Sequence, residues 1–281
     1  MDALIDPFVD NAFMQRALLA GLLTVVSTSV VGTWVVLRGL TFLGDALAHG
    51  VIPGIALAFL LEINLGVGAT VAALLMLGGI DLVGRRSRLP QDVGIGLLFV
   101  GMLALGVIII SLRGAYAGDL TAILFGDAIG VSAGDVMTTA GVTVLVVAVT
   151  AFLHRPFLVL TFSREKADVL GFHPRATHAV MLALVGLAIV ASFRAVGTLL
   201  VFAFLVAPPA AASLLARRVP AMMAMAVALG WLAVIGGLLA SFYADTPASA
   251  SVAITAVIEF FVVLSGRGVV DAWARRQVAT A

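Results

Sequence analysis

Apolar residues occur in long runs along most of the 281-residue chain, and short polar segments separate the runs. A helix needs about 20 predominantly apolar residues to cross a bilayer. The pattern predicts an all-α, polytopic transmembrane helical bundle of about eight or nine spans, forming a single domain over residues 1–281. Residues 180–215 fit either two short spans or one span followed by a broken helix. The predicted spans are 13–37, 43–61, 66–83, 93–112, 135–153, 177–193, 196–215, 222–242 and 250–266.

The basic residues are distributed unevenly between the predicted loops. If the N-terminus lies outside the membrane, thirteen of the sixteen lie in inner segments, and only Arg16, Arg113 and Arg194 lie outside. Because Lys and Arg accumulate on the inner side of membrane proteins, we expect the N-terminus outside and the C-terminus inside. The first ten residues contain three Asp and neither Lys nor Arg. They lack the positive region of a cleaved signal peptide, so we expect the first apolar run to remain as a span.

Composition narrows the possible chemistry. Hydrophobic residues make up 62% of the chain and charged residues 11%, which excludes an ordinary soluble domain. The chain has no cysteine, so a metal must be held by carboxylate, imidazole, hydroxyl or carbonyl ligands. It has no G-x-x-x-x-G-K-[ST] motif and only one lysine, Lys166, so any use of ATP requires another chain. The zinc-protease motif H-E-x-x-H is also absent, and no nucleic-acid partner is expected.

An ionisable pair, Asp45 and His49, lies within the second predicted span. Residues four apart lie on the same face of a helix, so the carboxylate and the imidazole can reach one small object. Oxygen and nitrogen donors suit a divalent first-row metal ion, and ionisable residues inside a membrane usually have a function. Pro53 lacks the N–H that would bond the His49 carbonyl, so we expect a bend there. The alternative is that Asp45 caps a helix and His49 bonds a neighbouring one.

Two further prolines, Pro208 and Pro209, interrupt the predicted span 196–215. They remove the N–H partners of the Phe204 and Leu205 carbonyls, which at membrane depth must face protein, water or an ion. Such carbonyls line the pathway in many transporters. The alternative is a structural kink that packs through the small alanines that follow.

The largest predicted inner loop, 154–176, contains a short charged segment that is typical of a surface helix. Glu165 lies in its expected first turn, Gly171 is suited to end it, and Pro174 is expected to prevent the helix from resuming. The loop either docks a soluble partner or is merely solvated. The candidate coupling residues are Arg164, Glu165, Lys166, Ala167 and Gly171.

Acidic residues are also found in predicted outer segments and in the last span. Leu124–Asp127 either lines an entrance or belongs to an acidic loop. Near residue 245, Thr246 is expected to cap the last helix and Pro247 to occupy its first position. Asp245 is suited to attract a cation at the outer mouth, although simple capping also explains it. Glu259 is expected to face the bundle.

Together these segments resemble the membrane permeases of ABC-3 type metal importers, in the order and spacing of that family over nearly the whole chain. The last helix departs from the pattern, because Ala248-Ser249-Ala250 stands where the family usually has a glycine. The matching segments are Gly44-Asp45-Ala46-Leu47-Ala48-His49 with Pro53-Gly54, Leu124-Phe125-Gly126-Asp127, Val196-Gly197-Thr198-Leu199-Leu200, Ala207-Pro208-Pro209-Ala210 and Asp245-Thr246-Pro247.

The resemblance implies a non-enzymatic permease of the bacterial cytoplasmic membrane, with no permanently bound cofactor. It implies a homodimer, a separate ATP-binding subunit that docks on the 154–176 coupling loop, and an extracytoplasmic metal-binding protein. It places Asp45 and His49 along the metal path and Asp245 near it, while the helix breaks at Pro53, Pro208 and Pro209 are predicted from the prolines themselves. The similarity is greatest to zinc-type permeases, with manganese or iron as alternative cargo.

A transporter of another class is the principal alternative. In an ATP-independent, proton-coupled secondary transporter, Asp45, His49 and Glu259 would relay protons. An ATPase-driven permease needs the docking loop, whereas a secondary transporter does not.

Overall fold

The computed structural model describes residues 12–86, 90–111 and 131–279. Within these ranges the chain forms eleven α-helices and no strand. The helices are α1 (Ala12–Leu37), α2 (Thr41–Gly50), α3 (Ile52–Leu60), α4 (Leu65–Arg86), α5 (Gln91–Ser111), α6 (Ala133–Phe152), α7 (His154–Phe162), α8 (Arg164–Val169), α9 (Pro174–Leu215), α10 (Val219–Ala244) and α11 (Ala248–Ala279).

Eight helical stretches among the described residues are long and apolar enough to cross a membrane. One of them, Thr41–Leu60, combines α2 and α3. The predicted span 196–215 corresponds to a shorter apolar stretch, Leu199–Leu215. The all-α, multi-pass architecture is therefore confirmed, while the inside or outside position of each terminus stays a prediction from charge.

Helix α9 resolves the ambiguity of residues 180–215. A continuous helix of its 42 residues is about 63 Å long, twice the thickness of a bilayer core. The helix is instead broken at Gly197, where φ is 79° and ψ is 162°. Glycine adopts a positive φ without the steric cost that a Cβ imposes, so this residue permits the break. Two apolar segments result, one on each side of Gly197.

Helix α1 is the central element of the bundle. In its apolar stretch 72% of the residues are buried, compared with 17% in α5, which lies at the periphery. It packs against α6, α9 and α10. Thr143 of α6 and Trp231 of α10 each donate a hydrogen bond of 3.1 Å to an α1 carbonyl, those of Leu23 and Leu22. Polar contacts between helices thus supplement apolar packing around α1.

The 154–176 segment differs from the predicted loop. It contains α7 as well as the expected short helix α8, and Pro174 begins α9 instead of preventing a helix from resuming. A proline is tolerated at the first helical position because its missing N–H has no intrahelical partner there. The prediction about Pro174 was therefore wrong.

The predicted outer segment 113–134 lies largely outside the described residues, and Leu124–Asp127 lies wholly outside them. Its described end forms the start of α6, where Ser132 and Asp135 make a capping box. The Asp135 backbone N–H donates to Ser132 Oγ at 3.2 Å, and the Asp135 carboxylate accepts from the Ser132 N–H at 3.2 Å. Helix capping therefore accounts for this acidic residue.

Candidate functional site

Helix α2 places Asp45 and His49 on one face, as their spacing predicts. His49 Nδ1 lies 3.3 Å from Asp45 Oδ1 and 3.1 Å from the Asp45 carbonyl oxygen. Because both oxygens are acceptors, the neutral imidazole places its hydrogen on Nδ1, which leaves the lone pair on Nε2 for another partner. Each of the two side chains is 29% exposed. The pair is therefore partly accessible, although the helices surrounding it are apolar.

Close packing fixes α2 on both sides of this pair. A Cβ atom on Gly44 would lie 2.3 Å from Leu205 Cδ2 of α9, and one on Gly50 would lie 2.0 Å from Met76 Sδ of α4. In both cases the atom in the way belongs to a flexible side chain that would have to shift, so the two glycines allow the helices to approach closely. The glycine before Asp45 and the glycine after His49 therefore hold the pair in a fixed place.

Phe99 of α5 supports the imidazole. Its ring centroid lies 5.9 Å from that of His49 at an interplanar angle of 89°, an edge-to-face arrangement. Phe42 packs in the same manner against Phe99, with centroids 5.8 Å apart. The sequence analysis missed Phe99, because a phenylalanine within an apolar span carries no local signal that it contacts a histidine of another helix.

The predicted helix break occurs directly after the pair. Helix α2 ends at Gly50 and α3 begins at Ile52, with Pro53 in its first turn. The His49 carbonyl, which Pro53 cannot bond, accepts the N–H of Val51. Downstream, α3 is held against α4 because Gly54 and Gly68 contact each other backbone to backbone. The interruption thus follows from Pro53 and adjoins His49.

Helix α9 continues through Pro208 and Pro209 to Leu215, and its non-helical residue is Gly197. A Cβ on Gly32 of α1 would lie 2.2 Å from the Leu205 carbonyl oxygen and 3.1 Å from Pro209 Cγ. Phe204 and Leu205 are both fully buried. In this structure the backbone of α1 therefore covers the Leu205 carbonyl. A pathway role for the two prolines stays a prediction.

The structure does not join Asp245 to the Asp45–His49 pair. Asp245 is exposed at the end of α10, in a left-handed conformation with φ 53° and ψ 45°. Helices α10 and α11 pack against each other and against α9, whereas α2 packs against α4, α5 and α9. In the described part of the chain, no three His, Asp or Glu side chains converge as a metal site, and this includes Glu259. Among the described residues, the candidate ligands at this place are therefore Asp45 and His49.

The start of the last helix differs from its prediction. The helix begins at Ala248, and the Pro247 carbonyl accepts the N–H of Ser251 at 3.0 Å. The Thr246 hydroxyl bonds the Ser251 hydroxyl at 2.7 Å instead of a backbone amide. The expected start, with Thr246 as the cap and Pro247 as the first helical residue, was therefore wrong by one position. Pro247 accepts the first helical hydrogen bond, and Thr246 bonds a side chain one turn further on.

Helix α8 forms where the coupling segment was expected. The Ser163 hydroxyl caps it by accepting the Lys166 N–H at 3.2 Å, and Gly171 follows with φ 77° and bonds the Asp168 carbonyl at 3.0 Å. Ala167 is fully buried. Glu165 and Lys166 are exposed. The helix is thus anchored through one face and presents charged residues on the other.

Known proteins with similar sequences fit this architecture. The sequence profile of the ABC 3 transport family matches residues 10–267. The manganese transport system membrane protein MntC of Halalkalibacterium halodurans is 32% identical, over 89% of this chain and 86% of that protein. The chelated iron transport system membrane protein YfeD of Yersinia pestis is 35% identical, over 92% of this chain and 86% of its own length.

A solved structure agrees with the fold. PsaBC from Streptococcus pneumoniae, in complex with Fab, superposes with a TM-score of 0.82 at 30% sequence identity, over 92% of this chain and 94% of the matched chain. Family profile, relatives and fold coincide over nearly the full length. The chain therefore belongs to the ABC 3 transport family and is a multi-pass membrane permease.

Proposed function

We propose that this chain is the permease of an ATP-driven importer that moves a divalent first-row transition-metal ion across a bacterial cytoplasmic membrane. The observation that carries the proposal is the Asp45–His49 pair, which is partly accessible within an apolar bundle and lies beside a helix break. One carboxylate and one imidazole nitrogen attract such an ion. As two ligands among the described residues they hold it weakly, as passage through a membrane requires, whereas a closed tetrahedral site retains its metal.

Manganese is the cargo that we place first. The resemblance seen in the sequence pointed to zinc, but the similar proteins described above are named for manganese and iron. A donor set of one carboxylate and one imidazole, with water completing the shell, suits manganese, while zinc sites more often use three or four protein ligands. Zinc is the alternative that the uptake experiment below distinguishes.

Helix α8 offers a contact surface for the ATP-binding subunit that this function needs. Val169 of α8 is 88% exposed and Leu170 beside it 61%, next to the exposed Glu165 and Lys166. This mixture of apolar and charged side chains suits a protein surface that docks a separate ATP-binding subunit. Two copies of the permease and an extracytoplasmic metal-binding protein complete the proposed assembly.

Alternating access links the pair to ATP use. Leu205, two turns beyond the break at Gly197, contacts Gly44 next to Asp45. A movement of the second half of α9 therefore changes the packing of α2 and with it the accessibility of the pair. ATP binding to the subunit docked at α8, which precedes α9 in the chain, would select the state that opens to the inside.

Radiometal uptake into vesicles that contain the permease and its ATP-binding subunit tests this function. We expect manganese uptake to require ATP and to exceed zinc uptake. His49→Ala and Asp45→Asn should each lower it by about 10–100-fold, the range that disturbing a metal site typically costs. Asp92→Asn, at the exposed start of α5, is the matched control and should transport normally.

The other outcomes are equally specific. Preferential zinc uptake would retain the mechanism and replace the metal. Undiminished uptake by both pair variants would refute the assigned path, and uptake without ATP would favour a proton-coupled secondary transporter.

A further inference from the structure

A groove lies between the C-terminal end of α9 and the last helix, α11, far along the chain from the Asp45–His49 pair. Its volume is about 500 Å³. Leu214, Leu215 and Val263 form its apolar wall, and Arg217 and Arg267 line it as well. The groove is therefore amphipathic, with two guanidinium groups beside a hydrophobic surface.

The charged residues that line the groove in the described structure are both arginines. Residues 195–244, which include the second half of α9, the following turn and all of α10, contain no Asp or Glu. Arg217 is exposed, and its sequence neighbour Arg218 adds a further positive charge. The groove thus offers a positive potential to an anion, and guanidinium groups bind phosphate in a bidentate manner.

The apolar wall continues along the outside of the bundle. Ile258, Phe261 and Val262 of α11, which precede the groove by one to two turns, are 54%, 57% and 64% exposed. A chain that leaves the groove in this direction follows hydrophobic surface toward the middle of the predicted span. This is the arrangement that a lipid needs, with its headgroup at the arginines and its acyl chains along the helix.

We propose that this groove binds the headgroup phosphate of an anionic phospholipid from the surrounding membrane. Basic pockets between transmembrane helices recognise such headgroups on the side where anionic lipids and Lys or Arg residues accumulate. The groove suits a lipid better than free phosphate because half of its wall is apolar and continuous with the outer face of α11. The site is independent of the transported metal.

Two kinds of variant test separately the charge that attracts the headgroup and the space that the lipid occupies. Gly266 lines the groove, and a Cβ on it would have no atom within 4 Å, so Gly266→Leu fills the groove without disturbing the backbone. Gly268→Leu is its matched control, since Gly268 is equally open but does not line the groove. Arg217→Gln with Arg267→Gln removes the charge, and Arg218→Gln controls for the loss of a nearby arginine.

Native mass spectrometry of the full-length permease in non-ionic detergent tests the proposal, with phosphatidylglycerol and phosphatidylcholine of the same acyl chains as probes. We expect wild type to retain phosphatidylglycerol preferentially. Each arginine strengthens attraction to an anionic lipid surface about fivefold, so the double variant should bind it roughly 25-fold more weakly. Gly266→Leu should lose the bound lipid as well, and both controls should resemble wild type.

The double arginine variant and Gly266→Leu must both lose the lipid for the proposal to stand. Retention of wild-type affinity by either one overturns it, as does equal binding of the two lipids by wild type. Displacement of the lipid by millimolar inorganic phosphate would make this a free-anion site and would also overturn it. Thermal unfolding in the same detergent checks that the variants are folded, and leucine in place of glycine at an exposed helical position favours the helix.

Discussion

Two proline sites of this bundle, Pro53 and the pair Pro208 and Pro209, have opposite environments. At Pro53 the chain leaves helix α2 directly after an ionisable pair whose side chains are 29% exposed. At Pro208 and Pro209 the Leu205 carbonyl is covered by Gly32 of the central helix α1. Both sites lack a backbone N–H, but the helix is interrupted beside Pro53 and continues through Pro208 and Pro209. The comparison shows that a proline need not interrupt a membrane helix, and that the exposure of nearby polar groups depends on how closely the neighbouring helix packs.

At Pro208 and Pro209, we expect the packing of α9 on α1 to be most sensitive to Gly32, which covers the Leu205 carbonyl. Gly32→Ala places a methyl group 2.2 Å from the Leu205 carbonyl oxygen, where backbone must move to make room. Of the substitutions near the two proline sites, we expect this one to have the largest effect. It should destabilise the protein by about 1–3 kcal/mol or more, as overpacked cores show. Thermal unfolding and yield of the detergent-solubilised permease measure it. Gly101→Ala, at an open position, should behave as wild type.

The contact between α2 and α9 is tested at Gly44, which packs against Leu205. Gly44→Ala directs its methyl group at Leu205 Cδ2, 2.3 Å away, which is the end of a flexible side chain. We expect a smaller loss of stability and a several-fold loss of metal uptake, because α2 and the Asp45–His49 pair are displaced. Leu205→Ala in the same chain should restore part of the uptake by removing the clash. Additive losses in this double-mutant cycle would mean that the two positions act independently.

The smallest effect is expected at the accessible break, from Phe99→Leu. The substitution keeps an apolar residue but removes the edge-to-face contact with the His49 ring. Such contacts contribute about 0.5–1.5 kcal/mol, so we expect the half-saturating metal concentration to rise about two- to tenfold with little change in maximal rate. Uptake measured across a range of metal concentrations separates the two quantities. A fall in maximal rate alone would exclude this orienting role.

Local features of the sequence predicted a large part of this molecule. Runs of about twenty apolar residues predicted the spans, since every backbone group in a bilayer must be bonded within its helix. The i, i+4 spacing brought Asp45 and His49 together, and Pro53 interrupted the helix beside them, because both effects act within one or two turns. The short helix α8 and its end at Gly171 followed from the same local rules.

Only the tertiary structure decided which residues meet across helices. It left Asp245 away from the pair, covered the Leu205 carbonyl with Gly32, placed Phe99 against His49 and made Ser251 the partner of Thr246. Hydropathy does not distinguish one apolar helix face from another, and small differences in helix approach decide these contacts. Chain composition and spacing therefore determined that this protein spans a membrane with an ionisable pair inside it, whereas close packing between helices determined that the Leu205 carbonyl is covered while the pair stays partly accessible.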